Sequence, residues 1–149
     1  MRKIRSSSMS AERKTIFVDT NILLDVLMRR EEFVHPAFHL WQLCEMQFVE
    51  GYVSAISFNN IHYILTKVNT RRNANRAMSL ILNSFHVVST DERILRLATE
   101  MPGKDFEDAI QIHSARSCGA SVIITRDRRH FSESQIPCMT PAQFLNLYA

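Results

Sequence analysis

Four aspartates occupy places where an α/β chain can bring acids together: Asp19 in "FVDTN", Asp105 and Asp108 in "KDFEDAIQ", and Asp127 in "ITRDRRHF". Gathering them has a cost. Two carboxylates about 4 Å apart repel by roughly 4 kcal/mol at an effective dielectric near ~20, so a cluster must be partly protonated or hold a cation. Oxygen donors alone suit Mg²⁺ or Mn²⁺, which keep several waters and bridge to phosphate. Such an ion acidifies water, orients it for in-line attack and stabilises the leaving oxygen, which is the chemistry of phosphodiester hydrolysis. Thr20, Asn21 and Thr125 lie beside these acids and offer neutral oxygens that can orient them or a bound water.

Each acid also has a plain structural explanation. Asp19 or Asn21 can cap the helix that follows. Asp105 and Asp108 form a D-x-x-D capping pattern whose charges suit the positive end of a helix dipole. Asp127 can be a loop acid paired with Arg126 or Arg128. Arg126, Arg128, Arg129 and His130 around it read equally as phosphate contacts or as a solvated turn.

The elements that must position these residues follow from periodicity. "TIFVD", "GYVSAIS", "HVVS", "ASVIIT" and "IPCMT" read as five short strands. Between them "NILLDVLMRR", "PAFHLWQLCEMQF", "FNNIHYILTKV", "TRRNANRAMSLILNSF", "DERILRLATEM", "DFEDAIQIHSARSCG" and "PAQFLNLYA" read as helices. Pro36 and Pro141 suit first turns, Thr70 an N-cap and Gly119 a C-terminal stop. "RDRRHF" reads as loop. Apolar strands alternating with helices imply a parallel sheet covered on both faces, with ligands beyond the carboxyl ends of the strands. Asp19 closes the first strand and Asp127 follows the fourth, so both can share that edge. Whether Asp105 and Asp108 reach it depends on the strand order, which the sequence does not dictate.

Composition excludes several classes. The 149 residues, 46% apolar and 22% charged, describe one ordinary globular domain. No apolar run reaches the roughly 20 residues of a membrane span. Cys44, Cys118 and Cys138 are widely spaced, which argues against a zinc site or disulfide framework and for a reducing cytoplasm. The pI of 9.0 is local in origin. Residues 1–14 carry Arg2, Lys3, Arg5, Arg13 and Lys14 against Glu12, a net +4, and are expected to be a disordered tail. Residues 15–149, the expected domain, hold 13 basic and 14 acidic side chains, so overall charge says little about a polyanion partner.

Four motifs in order, "FVDTNILLDVL", "SAISFNNIHYIL", "DFEDAIQIHSA" and "VIITRDRRHF", closed by "IPCMTPAQFL", resemble the PIN-domain nucleases over residues 15–147. The likeness is to the toxin-like branch of bacterial toxin–antitoxin systems. It implies a three-layer α/β/α sandwich with a parallel sheet of five strands, and Mg²⁺- or Mn²⁺-dependent cleavage of RNA leaving a 5′-phosphate. By matching, Asp19, Asp108 and Asp127 take the first, third and fourth acidic positions of the site. A homodimer neutralised by a small antitoxin is the assembly that the resemblance implies.

The second acidic position departs from the pattern, because the glutamate common there is matched by Asn60. An amide oxygen can touch a metal or its water but brings no charge. Asp105, one turn before Asp108, is expected to restore it. Two other readings compete with a metal ribonuclease. One is a PIN-fold module that binds RNA or an antitoxin with weakened catalysis; the other is an aspartate-nucleophile phosphatase, which the Asn21 two residues after Asp19 disfavours. His35 and His39 at i, i+4 lack a third ligand. His62 reads as a packed histidine, and His62 or His130 could otherwise serve a metal-free nuclease.

Overall fold

A computed structural model describes residues 13–148. In chain order the elements are β1 (Thr15–Val18), α1 (Thr20–Leu27), α2 (Val34–Glu45), β2 (Glu50–Ser54), α3 (Ala55–Val68), α4 (Arg71–Ser84), β3 (His86–Val88), α5 (Glu92–Thr99), α6 (Phe106–Ser117), β4 (Val122–Ile124), a 3₁₀ segment (Arg128–Ser134), β5 (Cys138–Met139) and α7 (Pro141–Tyr148). The strands form one sheet in the order β3-β2-β1-β4-β5. Every pairing in it is parallel.

Alternation along the short central strands builds the two halves of the core. Ile16, Val18, Val122 and Ile124 face one side, where they pack with α1, α2, α3, α4 and Phe144 of α7. Phe17 and Ile123 face the other, against Ile94 and Ala98 of α5, Ala109, Ile110, Ile112 and Ala115 of α6, and Phe131. The result is the expected three-layer α/β/α sandwich. One contact there is unusually close: a Cβ on Gly51 would lie 2.6 Å from Cys44 Sγ and 2.9 Å from Phe85 Cδ1, so α2 and the end of α4 sit directly on the β2 backbone.

Two expected boundaries move. The second strand stops at Ser54, and Ala55–Ser57 already belong to α3. Ser54 has extended backbone and accepts the Ile56 amide on its hydroxyl, an N-cap inside a segment whose alternation reads as strand. "RDRRHF" is not an open loop: Asp127 accepts the Arg129 amide and starts the 3₁₀ segment. Thr70 caps α4 by accepting from the Asn73 amide, and Gly119 takes the left-handed φ of +70° that ends α6. Of the expected tail, residues 1–12 lie outside the described residues. Arg13 pairs with Glu50 at 2.9 Å, and Lys14 Nζ stands 4.8 Å from the Tyr148 ring centroid.

The strand order places a switch point at the centre. β1 runs to β2 and β3 on one side, whereas β4 and β5 fill the other, so the crevice beyond the strand ends opens between β1 and β4. Val18 pairs in register with Ile124. Asp19 and Thr125 therefore leave the sheet side by side.

Candidate active site

Asp19 is the N-cap residue of α1, yet its side chain makes no capping hydrogen bond. Its amide instead continues the sheet by donating to Ile124 O at 3.0 Å. Its carboxylate accepts from the Thr125 hydroxyl at 2.8 Å, and the residue is 8% exposed. Burial raises the Asp19 pKa, with the Asp108 charge adding to it and the Thr125 hydrogen bond and His130 opposing it. Thr125 is fully buried and also accepts the Asp127 amide at 3.0 Å. One hydroxyl thus fixes the first acid and the backbone of the last.

Asp19 stands at the join of two recesses. The larger, about 630 Å³, is lined by Asp19, Thr20, Asn21, Asn60, Tyr63, Glu107, Asp108, Gln111 and His130, among others. The smaller, about 450 Å³, is lined by Asp19, Asn21, Arg126, Asp127, Arg128, Arg129 and His130. The strand order therefore brings Asp108 to the same edge as Asp19. Burial raises the Asp108 pKa, Asp105 and Asp127 add to it, and His130 and Lys104 oppose it. Asp127 behaves in the opposite way: hydrogen bonds from Arg129 hold it below the usual carboxylate range, and His130 adds to this. His130 Nε2 is 3.2 Å from Asp127 Oδ2.

A buried polar knot sets the walls of the larger recess. Thr20 of α1 and Ser57 of α3 share a hydrogen bond of 2.6 Å. Gln111 of α6 donates to both, at 3.2 and 3.3 Å. Asn60 lies one turn beyond Ser57 and Asp108 one turn before Gln111, so the knot fixes their separation from Asp19. On the other side Lys104, just ahead of α6, donates to Arg129 O at 2.8 Å and pairs with Glu133 at 3.0 Å. Ser57 and Gln111 escape the sequence reading, although a lone glutamine within "AIQIHSA" is the signal that finds one of them.

Two sequence expectations change here. Asp105 is the N-cap of α6, accepting the Asp108 amide at 3.3 Å. It is exposed and lines neither recess. The acid that joins Asp108 in facing the larger recess from α6 is Glu107, whose Oε2 accepts from Asn60 Nδ2 at 2.7 Å. Partial burial raises the Glu107 pKa, and the charges of Asp105, Asp108 and Asp19 push it the same way. Arg126 is the second correction. Its guanidinium donates twice to Asp25, at 2.9 and 3.0 Å, and stacks 3.8 Å over Phe33. It ties the β4 end to α1 through Asp25, whereas Arg129 turns its guanidinium to Asp127 at 3.3 and 3.4 Å and Arg128 only approaches Gln143 at 3.5 Å. His62 is half-buried and bonded to Asn75 at 2.7 Å, in an exposed contact between α3 and α4.

Residues 15–129 match the family model described as PIN domain. The chain belongs to the PIN domain family. Solved structures agree on the PIN fold. VapC20 of Mycobacterium tuberculosis, a sarcin–ricin-loop-cleaving toxin, aligns with a TM-score of 0.64 at 18% identity, over 81% of this chain and 95% of that one. A toxin–antitoxin complex from Klebsiella pneumoniae aligns with a TM-score of 0.61 at 22% identity, over 85% and 97%. VapBC2 from Rickettsia felis, bound to a DNA fragment of its promoter, aligns with a TM-score of 0.63 at 11% identity, over 85% and 98%. Comparison with curated proteins by sequence gives no match. Among the described residues of this PIN domain, no helix is long and apolar enough to cross a membrane.

PIN nucleases use divalent metals, so the donor set bears on what this site can hold. Among the described residues, no three His, Cys, Asp or Glu side chains stand as a closed ligand group. The chemistry of the donors nevertheless fits a hard cation. The cleft offers carboxylate oxygens without a thiol; the Asp108 charge opposes ionisation of Asp19, and both charges oppose that of Glu107. Within the same cleft, Gln111 Oε1 is buried without a hydrogen-bond partner.

Proposed function

We propose that this PIN domain is a divalent-metal-dependent endoribonuclease and the toxin component of a toxin–antitoxin pair. The observation that carries the reading is the Asp19 carboxylate, which is buried at a helix N-cap, caps nothing, and faces a cleft shared with Asp108. Asp19, Asp108 and Asp127 would hold Mg²⁺ or Mn²⁺. The chemistry such an ion would supply when bound is an acidified water for in-line attack on phosphorus and neutralisation of charge on the leaving oxygen. Thr125 fixes the Asp19 carboxylate, and Thr20, through the knot with Ser57 and Gln111, fixes the backbone that carries it. Arg128 and Arg129 at the smaller recess take the substrate phosphates, and Asn21, which lines both recesses, orients the acids between them.

A small antitoxin and a second copy of this chain are the protein partners in this reading. The toxin–antitoxin complexes among the solved PIN folds support the first. Reading the neighbouring gene tests it, and sedimentation tests the second. A reducing cytoplasm is the compartment proposed, consistent with three free cysteines.

Asn60 favours a second reading, a module that binds RNA or an antitoxin with weakened catalysis. Mn²⁺ affinity separates the two, because a weakened site loses the ion. The direct test is cleavage of a single-stranded RNA by the purified protein. The wild type with Mn²⁺ is expected to cut, and Asp19→Asn to fold without cutting. Cleavage that survives both EDTA and Asp19→Asn overturns the metal mechanism.

A further inference from the structure

We propose that Glu107 supplies the acid missing from the second position of the site, and that Asn60 is the positioning residue that aims it. The inference rests on the metal-nuclease reading above. Asn60 stands on α3 where the pattern calls for a glutamate, and its amide Nδ2 donates to Glu107 Oε2 at 2.7 Å across the cleft. The bond holds Oε2 and so fixes the carboxylate at the wall of the cleft. Among the described residues, its second oxygen makes no hydrogen bond, which leaves it available to a ligand. The charge has crossed from α3 to α6, and both residues line the recess that holds Asp19 and Asp108.

A second observation points to a ligand in this recess. Gln111, one turn beyond Glu107 and Asp108 on α6, is 3% exposed. Its Nε2 is bound to Thr20 and Ser57, whereas its Oε1 has no partner. A buried acceptor left open is costly. Gln111 lines the same recess as the acids, and its open acceptor is complementary to a hydrogen-bond donor there. Asp105, the other acid near Asp108, caps α6 and lines neither recess.

The test is Mn²⁺ binding by titration calorimetry on the full chain, with folding checked by circular dichroism. Glu107→Gln is expected to weaken Mn²⁺ binding by about tenfold or more, and Asn60→Ala by about tenfold. Asp105→Asn is expected to leave binding near wild type. Returning the acid to α3, as Asn60→Glu in the Glu107→Gln background, is expected to restore affinity. If Glu107→Gln binds like wild type while Asp19→Asn and Asp108→Asn do not, Glu107 is a surface tie; the inference falls and the nuclease reading stands. A loss in Asp105→Asn equal to that in Glu107→Gln also overturns it, since the acids would then act as diffuse charge. A double variant that stays weak overturns the exchange of positions. If the wild type binds no Mn²⁺, the nuclease reading falls and takes the inference with it.

Discussion

The Thr125 hydroxyl donates to the Asp19 carboxylate at 2.8 Å and accepts the Asp127 amide at 3.0 Å. Thr125→Val keeps the volume and removes both bonds. RNA cleavage and Mn²⁺ affinity are each expected to fall about 10- to 100-fold, the usual effect of losing a group that orients a ligand. Thr125→Ser should retain most of both. Equal loss in the serine variant would show that packing matters here and the hydroxyl does not.

Asp25 is fully buried between Arg126 and Arg30, whose nearest approach is 3.2 Å. Arg126→Ala leaves that carboxylate with one partner. The expected loss lies toward the low end of the about 3–5 kcal/mol seen when buried pairs are broken, because Arg30 remains. Urea unfolding measures it. Arg128→Ala, by contrast, should leave stability unchanged and reduce the salt dependence of RNA binding by roughly one counterion.

Burial lowers the His113 pKa below its ordinary 6.5; the Arg116 and Arg93 charges reinforce this, and a backbone hydrogen bond at Leu97 opposes it. Between the folded and unfolded values, the unfolded chain binds more protons. Stability therefore rises with pH in that window, and His113 destabilises the fold as pH falls below the unfolded value. Urea midpoints at about pH 7.5 and about pH 5.5 should diverge in the wild type and converge in His113→Gln. An unchanged difference in the variant would assign the acid sensitivity to other groups.

Gly51 accommodates the close approach of Cys44 and Phe85 to β2. Gly51→Ala forces both to shift and is expected to cost about 1–3 kcal/mol. Cys44→Ala in the same chain should return part of that, since it removes the sulfur 2.6 Å from the added methyl. The Cys44 thiol itself, pushed up to about 12 by burial, with the Glu50 charge adding to it, should resist alkylation until the domain unfolds.

Much of this architecture was legible in the residues. Apolar runs such as "TIFV" and "VII" mark strands covered on both faces, and Thr70 and Gly119 punctuate the helices as their chemistry requires. The acids of three motifs were visible because each follows or precedes such an element. The order of the strands was not, since it depends on pairings such as Ile16 with Val122 that no local pattern encodes. The exchange of Asp105 for Glu107 has a sharper cause. A helical wheel sets Asp105 on the face of Asp108, but Asp105 has a ψ of 141°, outside the helix, so the wheel does not extend to it. The tie of Arg126 to Asp25 was hidden for a similar reason: the two are 101 residues apart.

Asp19 and Thr125 are separated by 106 residues, and β4 enters the sheet between β1 and β5. A chain emerging from the ribosome therefore presents Asp19 long before Thr125, and has no cleft until β4 has been made and has docked. In a protein that cuts RNA, that delay would keep the nascent chain harmless beside the transcript that encodes it.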